Sequence, residues 1–350
     1  MPRPTDPSPD QIQTFPPLID KAMVMTGATA SGKSQLGIQL AERLDGEILS
    51  LDSIAVYRDM DIGTAKPTRA ERDRVPHHLL DLADPDEDFS VARYLHAAHR
   101  CVDEILDRSR VPIFVGGTPM FLKAILRGFD PGPPPDWDFR RSVEEDVEKF
   151  GVEPLRQRLR QVDPISASKI GPNDIRRMIR ALEVSKATGF PLSHRQIQFD
   201  RQTDAEKCHV FALMHPRSHL HERINERVEV MFRTGLIDEV KGLLKRYQTL
   251  SRTASQAVGY REIIEWLLNA NGRQENLHAD ANGFDNNTSL DQHRHLIEDV
   301  ATHTRQLAKR QETWFRSFTE ITAIDCGDVS SMEAIVERIA GRWHQAHRRD

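Results

Sequence analysis

The chain has 350 residues, 38% hydrophobic and 29% charged, with a formal net charge of −5. That length allows one large domain or two ordinary ones, each with its own core, and no apolar run approaches the roughly 18 residues of a membrane span. A negative net charge disfavours a nucleic-acid partner only on average, because binding depends on where the cations sit.

The opening MPRPTDPSPDQIQTFPP is polar and proline-rich, with no basic segment leading into an apolar one. Residues 1–17 therefore read as a disordered lead-in and not as a secretory signal. Residues 22–26 form a short apolar run ending at Gly27, the pattern of a buried strand. Leu36, Leu40 and Leu44 then recur at helical spacing. Glu47–Leu51 predicts a second strand ending on Asp52, and Val111–Val115 a third ending on Gly116-Gly117-Thr118. Strands alternating with helices specify a doubly wound parallel sheet with ligands at the carboxyl ends of its strands. From Arg127 the pattern changes. Prolines at 131 and 133–135 act as a linker, and 138–187 is helical and charged without a strand, so 127–205 is expected to be an inserted helical domain. Val210–Leu213 returns the chain to the sheet, and Leu220, Ile224, Val228 and Met231 line one side of the next helix. The α/β core is expected to comprise 18–126 and 206–345, ending in a helical C-terminal segment. Residues 269–296 are rich in Asn, Asp, His and Gly and are expected to form a flexible loop. The three cysteines (Cys101, Cys208, Cys326) form no CxxC, which argues against a zinc module and for a reducing, cytoplasmic setting.

Gly27-Ala28-Thr29-Ala30-Ser31-Gly32-Lys33-Ser34 matches G-x4-GK[ST] between a predicted strand and a predicted helix, the context that motif requires. Its glycines let backbone N–H groups turn onto a phosphate chain, the helix N-terminus adds positive dipole, Lys33 adds a charge and Ser34 offers a hydroxyl to Mg2+. The motif specifies a diphosphate, not ATP in particular. Asp52, at a strand end, reads in an NTPase as a magnesium ligand. In the helix begun by Asn173-Asp174, Ile175, Met178, Ile179 and Leu182 form the apolar stripe, with Arg176, Arg177 and Arg180 on the other side. Arg305, Lys309 and Arg316 share another face, with Arg310 beside it. Two cationic faces together with a phosphate loop suit an RNA backbone. Between Gln256 and Arg261, Tyr260 and Arg261 offer an aromatic and a cation to displaced bases. His77, His78 and His96 have no matching ligand set and are read as structural.

Seven elements resemble the tRNA dimethylallyltransferase (isopentenyltransferase) family, in the family's order: GATASGKS (27–34), DSIAVYRDMDIGTAKP (52–67), VGGT (115–118), PNDIRRMIRALEV (172–184), ERINERV (222–228), VGYRE (258–262) and TRQLAKRQETWFR (304–316). The resemblance extends from about residue 22 to 316. It implies a P-loop NTPase-like core with the helical insertion, and transfer of a dimethylallyl group from dimethylallyl diphosphate, with Mg2+, to N6 of the adenine at tRNA position 37. It also implies roles: Asp52 as the base taking the amine's proton, Thr118 on the adenine or on Asp52, and Arg227 on the leaving diphosphate with Lys33 and Mg2+ on Ser34. Contacts to tRNA are implied for Asp52, Ser53, Ile54, Ala55, Thr118, Arg140, Arg176, Arg177, Arg180, Gln256, Gly259, Tyr260, Arg261, Lys309, Arg310, Gln311, Trp314 and Arg316. The expected form is a monomer acting on an anticodon stem-loop, without membrane association. Two positions depart from the family's common pattern: Ala28 stands where proline is usual, and Phe121 where tyrosine often follows the Gly-Gly-Thr turn. Rival readings remain. An adenylate isopentenyltransferase, acting on AMP, ADP or ATP, has no use for Arg176, Arg177, Arg180 or the 304–316 face. A small-molecule P-loop kinase has none for the 52–67 composite, and a non-catalytic RNA-binding protein none for Asp52 beside a complete phosphate loop.

Overall fold

The computed structural model describes residues 14–200, 203–272, 293–327 and 331–347. These form two units, one of residues 18–122 with those from 203 onward, the other of residues 14–17 with 123–200.

In the larger unit the chain runs β1 (Met23–Gly27), α1 (Lys33–Leu44), β2 (Gly46–Leu51), α2 (Arg69–Arg74), β3 (His77–His78), α3 (Val91–Asp107) and β4 (Val111–Gly116). The unit boundary falls inside α4 (Pro119–Arg127), a few residues before the expected 127. The smaller unit carries α5 (Trp137–Phe150), α6 (Glu153–Val162), α7 (Pro164–Lys169), α8 (Ile175–Thr188) and α9 (Leu192–Arg195). The larger unit resumes with β5 (Val210–Met214), α10 (Arg217–Arg233), α11 (Leu236–Tyr247), α12 (Arg252–Ser255), α13 (Tyr260–Gly272), α14 (Arg294–Phe315), β6 (Thr322–Asp325) and α15 (Met332–His347). Expected loop 269–296 is thus helical up to Gly272 and again from Arg294. Residues 273–292, like 1–13 of the expected lead-in, lie outside the described residues.

The six strands order as β3-β2-β4-β1-β5-β6, and every pairing is parallel. This is the doubly wound, P-loop NTPase-like core expected from the sequence. Two edge strands were not expected. β3 is only His77–His78 beside Ile48 and Leu49, and β6 pairs with β5 from Phe211 to Met214. The core beneath α1 joins Leu36, Ile38, Leu40 and Leu44 to Met23, Met25, Ile113 and Val115, with Ile335, Ile339 and Trp343 of α15 alongside. Because β2 and β4 lie on one side of β1 and β5 on the other, the order reverses at β1. The crevice at such a switch point, at the carboxyl ends of the strands, is where an open α/β sheet binds ligands. Among the described residues no helix is long and apolar enough to cross a membrane.

The smaller unit packs its own core from Val143, Leu155, Leu159, Met178, Ile179 and Leu182, so the stripe expected in α8 is the buried one. Phe15 is buried and pairs antiparallel with Phe129, with N···O distances of 2.8 and 2.9 Å, which corrects the lead-in at 14–17. A second correction concerns two arginines. Glu183 is 1% exposed. It receives Arg140 Nε at 2.7 Å and Nη2 at 2.8 Å, Arg180 Nη1 at 2.5 Å and the Asp136 amide at 2.7 Å. Arg180 also donates to the carbonyls of Pro131 and Pro133. Arg140 and Arg180 therefore anchor the unit and do not stand on an open cationic face, whereas Arg176 and Arg177 are exposed. Burial pushes the Glu183 carboxyl up, but the hydrogen bonds from Arg140 and Arg180 outweigh it and hold the group below its ordinary value. Its stabilising contribution is thus present above the ordinary carboxylate range and lost as pH falls through the lowered value. Glu183→Ala leaves two inward guanidiniums unpaired and is expected to destabilise this unit by about 3 kcal/mol. Faster amide hydrogen exchange in α5 and α8 is the measurement that reads it.

Candidate active site

β1 delivers Gly27 at φ +151°, where an added Cβ would lie 2.7 Å from Ser31 Oγ and 3.1 Å from the Leu213 carbonyl. The loop then turns through Ala30 at φ +63° and Gly32 at φ +86° into α1. Its carbonyls are tied by side chains: Lys33 Nζ donates to Ala28 O at 3.1 Å, Arg223 Nε to Ala30 O at 2.7 Å, and His215 Nε2 to Ser31 O at 2.8 Å. With these carbonyls held, the first turn of α1 presents its open N–H groups and dipole to an anion. Two amides of the preceding loop are committed elsewhere: the Thr29 N–H goes to Gln311 Oε1 at 2.9 Å and the Ser31 N–H to Ala28 O at 3.2 Å, while Gln311 Nε2 donates to Gly117 O at 2.8 Å. Gln311 is buried and occupied at both ends. It joins the phosphate loop to the turn after β4, which corrects its expected contact with tRNA.

Ile48, Ser50 and Asp52 alternate onto one face of β2 and its extension, and all three line the same cavity. Asp52 Oδ1 accepts the amides of Ile54 at 2.8 Å and Ala55 at 3.2 Å; among the described residues Oδ2 takes no hydrogen bond. Thr118 closes the turn from β4. Its N–H donates to Leu51 O at 3.2 Å and its Oγ1 accepts the Ser53 amide at 3.0 Å. Thr118 thus braces the Asp52 loop, and the amides of Ser53, Ile54 and Ala55 are all committed inside it. Arg227 of α10 meets Lys33, Ser34, Asp52, Ile54 and Ala55 around this cavity, about 200 Å³ in volume. Burial first, then the neighbouring Arg227, lowers the Lys33 ammonium to about 8, with Asp52 opposing. Burial likewise lowers Arg227, again against Asp52. Two desolvated cations facing one carboxylate leave an unbalanced positive site that favours an anionic ligand.

A further wall, Gly63–Pro67, also lines the cavity. Glu239 of α11 fixes it by accepting the amides of Asp61 at 2.9 Å, Ile62 at 2.7 Å and Gly63 at 3.2 Å, and the Tyr260 hydroxyl at 2.6 Å. Gly63 backs onto the Tyr260 ring, which an added Cβ would meet at 2.4 Å. Tyr260 is fully buried, so it does not stack displaced bases as expected. Arg261 pairs with Glu262 at 2.5 Å and the Gly259 amide donates to the same carboxylate at 2.7 Å, so neither is an open RNA contact. Gln256, Lys309, Arg310 and Arg316 remain exposed, and Trp314 is 40% exposed. Phe121 is buried and stacked on Tyr94 at 3.9 Å between centroids, so the absent hydroxyl faces the core and not a ligand. Of the histidines, His78 pairs with Glu47 at 2.6 Å, His77 bonds Val75 O at 2.7 Å while also lining the cavity, and His96 is exposed. The anchors Arg223, His215, Glu239 and Gln311 were not legible as such, although Arg223 and Gln311 lie inside recognised motifs.

No group of three or more His, Cys, Asp or Glu among the described residues converges as a metal site. Ser34, exposed at the start of α1, suits an ion that keeps waters and takes its other ligands from phosphates, as Mg2+ does.

The family model "IPP transferase" matches residues 55–318, and the model "Isopentenyl transferase" matches 20–89. A tRNA dimethylallyltransferase from Rhodopirellula baltica is 53% identical over 342 residues, 93% of this chain and 96% of that protein. Another from Halothermothrix orenii is 36% identical, covering 91% and 92%. The crystal structure of the full-length tRNA isopentenylpyrophosphate transferase from Bacillus halodurans superposes with a TM-score of 0.63 at 37% identity, covering 94% of this chain and 98% of that one. A eukaryotic dimethylallyltransferase acting on tRNA gives 0.69 at 27% identity, covering 92% and 80%. With phosphate loop, Asp52 and α10 arginines all within the aligned length, the chain belongs to the tRNA dimethylallyltransferase family.

Proposed function

We propose that this chain transfers a dimethylallyl group from dimethylallyl diphosphate to N6 of the adenine at tRNA position 37, next to the anticodon, releasing diphosphate. One observation carries the reading: Lys33, Arg227 and the open edge of Asp52 share a single desolvated cavity at the carboxyl ends of the strands. The N6 lone pair is delocalised into the purine, so the amine reacts only as a base removes its proton. Asp52 Oδ2 accepts that proton while the N–C bond forms and the allylic C–O bond breaks. Charge grows on the departing diphosphate, where Lys33, Arg227 and the loop amides meet it. Ser34 would hold Mg2+, which would supply further charge neutralisation to the leaving group.

Exposed Arg176 and Arg177, together with Lys309, Arg310, Trp314 and Arg316, support a polyanionic acceptor over free AMP. The target base leaves its stack to react, at a cost of a few kcal/mol that is least for an unpaired loop nucleotide. Three free cysteines suit a reducing cytoplasm.

The test supplies dimethylallyl diphosphate and Mg2+ with either an anticodon stem-loop or AMP. The stem-loop is expected to be prenylated and AMP not. Affinity for the stem-loop is expected to fall steeply with salt, and replacing Arg176 and Arg177 with Gln to flatten the log–log slope by up to about 2. Efficient turnover of AMP, or salt-indifferent RNA affinity, overturns the reading in favour of the adenylate enzyme.

A further inference from the structure

Ala30 occupies the left-handed region at φ +63°, which glycine enters freely and a residue with a Cβ enters at a cost. Its carbonyl points out of the loop onto Arg223 Nε at 2.7 Å. The same guanidinium lies against the loop's second left-handed residue, since a Cβ added to Gly32 would sit 3.4 Å from Arg223 Nη2. Arg223 forms no ion pair among the described residues, does not line the cavity and stands one helical turn before Arg227 on α10. A half-buried arginine without a carboxylate, bonded to the carbonyl of a strained residue, is placed to hold that strain.

We propose that Arg223 is a positioning residue that locks Ala30 in its left-handed conformation, keeping the loop amides turned inward before the diphosphate arrives. This rests on the reading of the loop as the prenyl-diphosphate site. α10 then serves the donor twice, through Arg223 on the outside of the loop and Arg227 in the cavity. Without Arg223, Ala30 relaxes to negative φ in part of the population. Apparent affinity for diphosphate drops by the fraction that remains competent, while the step after binding is largely preserved.

A double-mutant cycle between Arg223 and Ala30 tests this, with inorganic diphosphate titrated calorimetrically and KM and kcat measured for dimethylallyl diphosphate. Arg223→Ala is expected to weaken diphosphate binding and raise KM by about tenfold or more, on the scale of a lost charge-assisted hydrogen bond, with kcat within about threefold. With glycine at position 30 the left-handed conformation no longer needs holding, so the same Arg223→Ala change is expected to cost about fivefold less. If Arg223→Ala leaves diphosphate affinity unchanged, or costs as much beside Ala30→Gly as beside alanine, Arg223 does not act through Ala30 and the proposal falls. Should Arg223→Ala fail to fold, Arg223→Gln in the two backgrounds gives the same comparison. Calorimetry reads the loop without prenyl transfer, so a native protein that binds diphosphate but does not modify RNA overturns the proposed function and not this inference.

Discussion

Asp52→Asn is expected to lower prenyl transfer to an anticodon stem-loop by about 10²–10⁴-fold, the usual worth of a positioned base. The substitution is selective because the two carboxylate oxygens have different work. Oδ1 holds the amides of Ile54 and Ala55, and an asparagine carbonyl does the same. The open oxygen becomes an NH2 group that accepts no proton, so the loop survives and the chemistry does not. Donor binding is expected to be no weaker, since the change removes a negative charge from a site that receives a diphosphate. Single-turnover prenylation and diphosphate titration separate the two quantities. Activity within threefold of the native protein would exclude the base role. A large rise in the Mg2+ requirement with little loss at saturating metal would make Asp52 a metal ligand instead.

The parts of this site visible in the sequence are those written locally. Gly27, Asp52 and Gly116-Gly117 each end an apolar run, and a parallel α/β sheet puts strand ends together whatever the loops between them. The anchors are not local. Gln311 meets Thr29 across 282 residues and His215 meets Ser31 across 184. Nothing in either segment names its partner. One signal was available: Ala308, Gln311 and Phe315 fall on one buried stripe of α14, which puts Gln311 inside and not toward RNA. Tyr260 and Arg261 misled as well. The carboxylates that claim them, Glu239 and Glu262, carry no mark of inward orientation. Arg180 lies on the polar side of α8 as expected, yet the unit folds Glu183 inward and takes the guanidinium with it. β3 escaped because two residues set no periodicity, and β6 because its burial alternates only weakly at the sheet edge.

Removing either cavity cation, by Lys33→Ala or Arg227→Ala, is expected to cost about 10²–10³-fold in kcat/KM for dimethylallyl diphosphate, because each faces the charge that grows on the leaving group. The two are distinguishable by pH. Burial and Arg227 bring the Lys33 ammonium down to about 8, so the free protein loses that charge as pH rises through about 8. A diphosphate favours the charged form, and above that pH binding must take up a proton. Log kcat/KM for the donor is then expected to fall by up to one for each further pH unit. Arg227→Ala removes a cause of the lowering and is expected to move the break to higher pH. Asp52→Asn removes the opposing carboxylate and is expected to move it lower, read for this variant from diphosphate affinity. Lys33→Ala abolishes the break. A break that persists without Lys33, or that shifts the same way in both of the other variants, would assign the titration to another group, since Lys33 feels Arg227 and Asp52 with opposite sign.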